Sequence, residues 1–256
     1  MNPGFILSLS LSLSALGMLP MLGCGGAPLD AIGPSHSDLG EGVLAHWALD
    51  DRTGTIAKDS SGSGRDGQLT GGSWISDGRF AGALRLAAGD SATVANFPNA
   101  TPNFTVATWL RLSPEQLAMD DGMWVAILGN ENFGAGGWQL NIDNRLARPR
   151  LDFAYWSSPL TGYLFVECEC VELDRWIHLA AVVDVEADRV TLYKNGAVQD
   201  QETRPSDILP GDPTLYWGGW NMSGRQLSGD LDDVAIWNRA LTANEIAALA
   251  ESPVPG

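Results

Sequence analysis

Hydrophobic and polar positions alternate along most of the chain from residue 43 onward. Val43, Ala45, Trp47 and Leu49 share one face of a strand, and residues 104–110 are similarly rich in β-branched and aromatic side chains. The same pattern predicts further strands at 83–87, 91–96, 123–128, 137–142, 148–154, 162–166, 176–184, 188–194, 213–218 and 230–237. Clusters of Gly, Asn, Asp and Pro separate most of these segments. The chain is therefore predicted to be built from many short antiparallel strands.

Two local signals add a hairpin and a helix to this pattern. Asn195-Gly196 follows a predicted strand and supplies the positive-φ pair that a tight hairpin turn requires. Near the C-terminus, Thr242 and Glu245 have the spacing of a capping box and precede the apolar segment 246–249. Many strands and one short helix predict an all-β, two-sheet antiparallel sandwich with a short C-terminal helix, and 256 residues are enough for one such domain.

The N-terminal segment has a different character. Residues 1–23 carry no charged side chain, and an apolar run from Phe5 to Leu22, interrupted by serines, predicts a signal peptide. A transmembrane helix is the alternative, because about 18 apolar residues can just span a bilayer. The composition then turns to Gly, Pro, Ser and Asp, which predicts a flexible tether. The predicted organisation is an export segment at 1–23, a tether at 24–40, one β domain at 41–250 and a tail at 251–256.

Met21-Leu22-Gly23-Cys24 resembles the lipobox of bacterial lipoproteins. In that family the cysteine becomes the new N-terminus and is acylated through its thiol. The resemblance implies that Cys24 anchors the protein in the bacterial cell envelope, at the outer membrane or cell surface, with the lipid as its only membrane contact. The alternative is an ordinary secretory peptide with an incidental cysteine.

The chain is strongly acidic, with 31 acidic and 15 basic residues and a net charge of −16. This balance disfavours nucleic acid as a partner over most of the surface. It is compatible with divalent cations, although acidity also serves solubility.

Cys168 and Cys170 remain as a pair if Cys24 is acylated, in a compartment where thiols oxidise. A disulfide between them is predicted, although cysteines two positions apart on a strand have Cα atoms near the ~7 Å limit for a bridge. Free thiols and half of a zinc site are the alternatives, and no second Cys or His pair completes a zinc site.

Four groups of motifs together resemble laminin-G-like, concanavalin A-like jelly-roll domains. They are Gly42–Asp50 with Lys58–Gly67, Gly78–Leu84 with Asn103–Trp109, Arg175–Asp184 with Val190–Gly196, and Leu227–Leu241. The resemblance covers residues 41–250 and implies a concanavalin A-like jelly-roll sandwich. Lectins, adhesion modules, sialidase-associated domains and glucanases share this fold, so the fold alone does not choose among them.

The same resemblance implies a structural calcium ion. Asp50, Asp59 and Asp66 surround a turn rich in Ser and Gly, which could offer several oxygen ligands. Members of the family often bind calcium between this region and the closing strand, which implies Asp50, Asp59 and Asp232 as ligands. The alternative is that Asp59 only forms an Asx-type turn and that Asp232-Asp233 is a solvated edge.

Aromatic side chains beside polar groups predict a carbohydrate site, because sugar C–H faces stack on rings while polar side chains bind the hydroxyls. Trp156, Trp217, Trp220 and Asn221 lie in or next to predicted loops and are the predicted ligand-binding residues. The tryptophans within regular strands are predicted to lie in the core instead: Trp47, Trp109, Trp176 and Trp237.

The segment Glu167–Glu172 is similar to the Glu-x-Asp-x-x-Glu strand of jelly-roll glucanases, in which two carboxylates about 5 Å apart act as nucleophile and general acid. Glu167 and Glu172 would be the catalytic pair of a glucan hydrolase. Alternation would place Glu167 and Glu169 on one face, and Glu169 stands where that motif has Asp. An acidic edge strand is the alternative.

These observations lead to one functional hypothesis. The chain is predicted to be an exported, lipid-anchored, non-enzymatic binding module that recognises carbohydrate or extracellular matrix at the cell surface. A divergent jelly-roll glucan hydrolase and an adhesion domain with a protein partner are the alternatives.

Overall fold

The computed structural model describes residues 38–99, 102–118, 124–132, 134–145, 148–158, 162–203, 208–220 and 225–255. The predicted export segment, Cys24, Asn221 and most of the predicted tether lie outside the described residues. Within the described ranges, no helix is long and apolar enough to cross a membrane.

The described strands form two antiparallel sheets. Sheet A contains, in spatial order, β14 (Ala197–Thr203), β13 (Arg189–Lys194), β12 (Trp176–Asp184), β7 (Phe104–Leu112), β16 (Gly229–Trp237), β5 (Ala83–Leu86) and β4 (Ser73–Ile75), with β1 (Val43–Trp47) also paired to β16. Sheet B contains β11 (Gly162–Cys168), β10 (Arg150–Ser158), β9 (Trp138–Asp143), β8 (Trp124–Gly129), β15 (Leu215–Trp217), β6 (Ser91–Val94), β3 (Gly67–Thr70) and β2 (Ile56–Ala57). A 3-10 turn covers Asp38–Gly40, and the two short helices are α1 (Pro114–Ala118) and α2 (Ala243–Leu249).

The predicted all-β sandwich with a short C-terminal helix is confirmed. Asn195 and Gly196 both have positive φ angles, of 48° and 77°, as the turn between β13 and β14 requires. At the start of α2, the Thr242 hydroxyl accepts from the Glu245 N–H while Glu245 Oε2 accepts from the Thr242 N–H at 2.7 Å. This reciprocal cap satisfies two backbone donors that a short helix would otherwise leave unpaired.

The main core lies between the two sheets, where Trp47, Trp138 and Trp217 are fully buried. A second, smaller cluster covers part of the outer face of sheet A, where α2 packs against Trp237. Leu39 belongs to this cluster, and its carbonyl accepts from Trp237 Nε1 at 2.8 Å. The folded domain therefore includes Leu39, two residues before the predicted boundary at residue 41.

The predicted core tryptophans behave as expected in three of four cases. Trp47, Trp109 and Trp237 are buried. Trp176, at the first position of β12, is half-buried beneath the guanidinium of Arg111, 4.8 Å from its ring centre. Strand-end residues are packed on fewer sides than central ones, which explains the difference.

Candidate functional site

The outer face of sheet B carries polar side chains that the fold gathers into one place. Successive residues of a strand point to opposite faces, so Trp138, Leu140 and Ile142 enter the core while Gln139 and Asn141 face outward. The register pairs Gln139 with Ala154 and Asn141 with Asp152 on the neighbouring strand β10. Because Ala154 is small, the neighbouring strand β10 leaves space beside Gln139 and Asn141 for their side-chain amides.

Four half-buried aromatic rings lie on the same outer face, and we call them the aromatic strip: Trp124, Trp156, Tyr163 and Phe165. Trp124 stacks on Phe165 with ring centres 5.9 Å apart, and Tyr163 meets Trp156 edge to face at 4.8 Å. Tyr163 also lies 6.1 Å from Phe165, so the rings form one continuous surface across β8, β10 and β11. Contiguous aromatic surface of this kind is typical of a binding site.

Beside the strip lies a small cavity lined by three polar side chains, which we call the polar pocket: Glu131, Gln139 and Asn141. These side chains are only 4%, 3% and 3% exposed, respectively. Glu131 Oε1, Gln139 Nε2 and Asn141 Oδ1 have no hydrogen-bond partner among the described residues. The cavity volume of about 10 Å³ matches one water molecule or one hydroxyl group.

Unpaired buried polar atoms are energetically unfavourable in the free protein. Each such group costs about 1–3 kcal/mol of desolvation that no internal hydrogen bond offsets. Native proteins bury few such groups, and where several of them surround a cavity, a bound water, ion or ligand is the explanation that the cavity favours. Three of them around one cavity therefore indicate a site prepared for an external hydrogen-bonding group.

Two ionisable side chains, Glu131 and Arg225, line one side of the pocket. Burial raises the pKa of Glu131 to about 8, while the positive charge of Arg225 acts in the opposite direction. Arg225 also lines the cavity, and its guanidinium lies 4.8 Å from the centre of the Trp220 ring. Glu131 is thus mostly protonated at neutral pH and can donate as well as accept hydrogen bonds.

A family model for the concanavalin A-like lectin/glucanases superfamily matches residues 86–247. The chain belongs to this superfamily. The matched region contains the whole of the aromatic strip and of the polar pocket, which extend from residue 124 to residue 165. A search of curated proteins found no sequence match.

Solved structures of concanavalin A-like shape resemble the chain at low sequence identity. Domain 4 of AbnA, an extracellular arabinanase from Geobacillus stearothermophilus, was solved in complex with arabinotriose; it is 19% identical, with a TM-score of 0.65 over 82% of this chain and 98% of that chain. The ligand-binding domain of botulinum neurotoxin serotype D, in complex with N-acetylneuraminic acid, is 15% identical, with a TM-score of 0.66 over 84% of this chain. The chain spans about half of that toxin domain, 52% of its length. These similarities show a shared fold.

The predicted ligand-binding tryptophans have three different environments in this concanavalin A-like domain. Trp156 lies in the aromatic strip, beside the polar pocket. Trp217 is 0% exposed and packs edge-on against Trp47 with ring centres 4.5 Å apart, so the prediction that it contacts ligand is wrong. Trp220 is 6% exposed and donates from Nε1 to the Glu131 carbonyl at 2.9 Å, which makes it a support of the pocket wall rather than an open stacking surface.

Two of the predicted calcium ligands meet at one turn. The Asp50 carboxylate accepts from the Gly82 N–H, and Asp232 Oδ2 accepts from the N–H groups of Arg79 and Phe80 at 2.7 and 3.2 Å. The turn is so tight that a Cβ on Gly78 would lie 1.9 Å from the Gly82 carbonyl oxygen. Burial, together with the charges of Asp233 and Asp50, raises the pKa of Asp232 to about 7, although the hydrogen bonds from the Phe80 and Arg79 N–H groups act in the opposite direction.

Asp59 does not share this arrangement. Its Oδ1 accepts from the backbone of His46 and from both the N–H and hydroxyl of Ser61, and its Oδ2 accepts from the Arg65 N–H at 2.9 Å. Burial opposes the ionised form, but these hydrogen bonds lower the pKa of Asp59. Within the described ranges, no group of three or more His, Cys, Asp or Glu side chains is placed to hold a metal ion. Asp59 therefore orders its own turn.

The alternative prediction of a solvated edge at Asp232-Asp233 is wrong. Both residues lie in β16, between β7 and β5, and are 2% and 5% exposed. Asp233 adopts a φ of 50° at a bulge, where it accepts from Val254 N–H at 2.9 Å and contacts His46 Nε2 at 2.7 Å. These contacts tie the C-terminal tail to β1.

The two carboxylates of the hydrolase alternative form ion pairs with different basic side chains. Glu167, on β11, forms an ion pair with Arg150, which also contacts Glu169 as strand alternation predicts. Glu172 forms an ion pair with Lys194 at 2.6 Å, and this hydrogen bond lowers the pKa of Glu172. A general acid needs a raised pKa, so Glu172 is poorly suited to protonating a leaving group.

Cys168 and Cys170 are joined in a disulfide. Their Cα atoms are 5.1 Å apart, closer than the spacing on a strand, because β11 ends at Cys168 and the chain bends at Glu169. Both cysteines pack against the main core.

Proposed function

We propose that the chain is a non-enzymatic carbohydrate-binding domain and that its glycan binds at the aromatic strip and polar pocket. The observation that carries this proposal is the set of three buried, unpartnered polar side chains directly beside four half-buried aromatic rings. A sugar matches both features, because its C–H face stacks on aromatic rings while its hydroxyls form hydrogen bonds. One hydroxyl would enter the cavity while the ring rests on the strip outside it.

Two further observations support a sugar as the ligand class. The chain belongs to the concanavalin A-like lectin/glucanases superfamily, and similar folds were solved in complex with arabinotriose and with N-acetylneuraminic acid. Binding without hydrolysis is favoured by the two ion-paired carboxylates of the glucanase-like segment, since Glu172 is held ionised by Lys194.

A glycan panel tests this proposal on the purified protein. We expect binding to at least one oligosaccharide in a panel that contains arabinotriose, β-glucans and N-acetylneuraminic acid, with no release of reducing sugar. A panel without any bound glycan would contradict the proposal and would favour a protein partner. Reducing sugar released from a β-glucan, and lost in Glu167→Gln, would favour the hydrolase alternative.

We also propose that Cys24 is lipidated and anchors the domain in the bacterial envelope. Leu39, where the predicted tether joins the domain, packs on the outer face of sheet A, whereas the proposed glycan site lies on the outer face of sheet B. Leu39 and the proposed glycan site therefore lie on opposite faces of the sandwich. We expect Cys24→Ser, in whole bacterial cells, to move the protein from the membrane fraction to the soluble exported fraction and to lose palmitate labelling. A variant that stays in the membrane fraction with its label would contradict lipidation.

A structural calcium ion is proposed between Asp50 and Asp232. Among the described contacts, Asp50 Oδ2 and Asp232 Oδ1 accept no hydrogen bond. A divalent cation would offset the burial of the Asp232 charge and its repulsion by Asp233 and Asp50, which together raise the Asp232 pKa. Carboxylate and backbone carbonyl oxygens of the turn would hold it. Asp59 is not part of this proposed ligand set, since both of its oxygens bind donors of its own turn.

The pH dependence of calcium stabilisation follows from the raised pKa of Asp232. Without a cation, the folded protein holds this proton more tightly than the unfolded chain, so the stability it contributes is present below pH 3.8 and lost as pH rises through about 7. Calcium binds the ionised form, so its effect grows over the same range. At 100-fold excess over Kd, we expect the melting temperature to rise by roughly 5–10 °C above pH 7 and to change little near pH 5. Melts that EDTA and calcium leave unchanged at both pH values would contradict the site.

A further inference from the structure

We infer that Asp152 sets the hydrogen-bonding polarity of the polar pocket, and that its protonation turns the Asn141 amide and changes which glycans the pocket prefers. The inference rests on the proposed function of this pocket. Asp152 lines neither the cavity nor the aromatic strip; it lies beside Asn141, its register partner on β9, on the same outer face of sheet B.

The geometry around Asp152 fixes the orientation of Asn141. Asp152 is 1% exposed, and the hydrogen bond it receives among the described residues comes from Asn141 Nδ2 at 3.1 Å. A carboxylate can only accept hydrogen bonds, so Asn141 must turn its NH₂ group toward Asp152. Its Oδ1 is then left toward the cavity, where it has no partner in the described part of the chain.

Protonation of Asp152 reverses which end of the Asn141 amide must face it. The carboxylic acid has a buried O–H that needs an acceptor, and Asn141 is the neighbouring side chain that can supply one. A half turn of the Asn141 amide places Oδ1 against the acid and Nδ2 toward the cavity. Asn141 then presents the donor Nδ2 to the cavity in place of the acceptor Oδ1, beside the donor Gln139 Nε2.

The charges around Asp152 place this change in an accessible pH range. Burial, together with the charges of Asp143 on β9 and Glu167 on β11, raises the pKa of Asp152 to about 7. The hydrogen bond from Asn141 acts in the opposite direction. Arg145, which is paired with Asp143 at 2.9 Å, also lowers this pKa. Arg150, two positions before Asp152 on β10, forms an ion pair with Glu167, and Glu131 and Arg225 are the ionisable groups that line the cavity.

The two states of the pocket suit different ligands. When Asp152 is ionised, the acceptor Asn141 Oδ1 and the donor Gln139 Nε2 lie side by side and fit a hydroxyl group that both donates and accepts, as in a neutral sugar. When Asp152 is protonated, two neighbouring donors, Asn141 Nδ2 and Gln139 Nε2, fit a carboxylate or an amide carbonyl, as in an acidic or N-acetylated sugar. Losing one matched hydrogen bond changes affinity by roughly fivefold.

NMR on the wild-type protein without ligand tests the switch itself. We expect the Asp152 carboxyl carbon to titrate well above the ordinary aspartate pKa of 3.8, and the Asn141 side-chain amide signals to shift with the same midpoint. An Asp152 carboxyl that stays ionised down to its ordinary pKa, or an Asn141 amide that is unchanged through the Asp152 titration, would overturn the inference.

Calorimetry with arabinotriose and with N-acetylneuraminic acid tests the consequence. Between about pH 8.5 and about pH 5.5, we expect the affinity ratio to shift by roughly fivefold toward N-acetylneuraminic acid. Asp152→Asn cannot ionise, so its ratio should lack the change centred on the Asp152 midpoint that NMR gives, while Asp188→Asn, in an exposed turn of sheet A, should follow wild type. A wild-type ratio that does not change with pH, or an Asp152→Asn ratio that changes as much as the wild-type ratio around the Asp152 midpoint, would overturn the inference. Any change that Glu131 causes is centred near pH 8 instead. If neither sugar binds at any pH, the NMR titration alone decides the switch, and the proposed function is judged separately on the whole glycan panel.

Discussion

Replacing Trp217 with alanine is expected to destabilise the domain by about 3–5 kcal/mol, the largest effect that we predict for a single substitution. The side chain is fully buried between the sheets and packs edge-on against Trp47. Its removal would leave a large cavity in a core whose strands cannot move together to fill it, because β15 is hydrogen-bonded to β6 and β8 on its two sides. Chemical denaturation monitored by circular dichroism measures the loss.

Trp156→Ala is the matched control for this measurement. Trp156 is half-buried on the outer face of sheet B, where it contacts Tyr163, so its truncation leaves no closed cavity in the core. We expect a loss of stability below about 2 kcal/mol in that variant. A Trp217→Ala protein that unfolds at the wild-type denaturant concentration would contradict the core position of Trp217.

Gln139→Leu is expected to weaken glycan binding by about tenfold or more without destabilising the fold. Gln139 Nε2 is buried, lines the cavity and has no partner among the described residues, so leucine removes an unfavourable buried donor. We expect the free energy of unfolding to be maintained or to rise by about 1 kcal/mol. At the same time the sugar hydroxyl in the cavity would lose its donor. Titration calorimetry and denaturation on the same preparation measure both effects.

The combination of these two effects distinguishes a binding site from a structural contact. Gln199→Leu, on the exposed edge strand β14 of sheet A, provides the control and should change neither quantity by much. If Gln139→Leu lowered stability by more than about 1 kcal/mol, the amide would have a structural partner and the pocket would not be prepared for a ligand.

The strands and the C-terminal helix could be predicted because their signals are local. Nine-residue segments rich in apolar, β-branched and aromatic side chains identify β7, β12 and β16, and a capping box marks the start of α2 at Thr242. The short strands β2, β3 and β4, of two to four residues each, were missed because they hold too few positions for a period to be recognised.

The error at Trp217 has a similar cause. Strand β15 has only three residues and is followed by two glycines, so its sequence resembles a loop. Three residues do not show which face is inward, and the inward position of Leu215 and Trp217 follows only from pairing with β6 and β8.

The polar pocket could not be predicted for a different physical reason. Gln139 and Asn141 occupy alternate positions of a predicted strand, which is the ordinary pattern of a solvent-facing side. Their burial depends on Trp124 and Arg225, which come from distant parts of the chain and line the same cavity. Sequence alternation identifies the face of a side chain but not what covers that face.

The central claim is that a glycan binds the outer face of sheet B. The most direct test is to titrate ¹⁵N-labelled protein with the tightest-binding oligosaccharide of the glycan panel and to follow the backbone amide signals. We expect the largest shifts along β8 to β11 and at Glu131, around the aromatic strip and the polar pocket. Shifts confined to sheet A, or to the turn between Asp50 and Asp232, would contradict the claim.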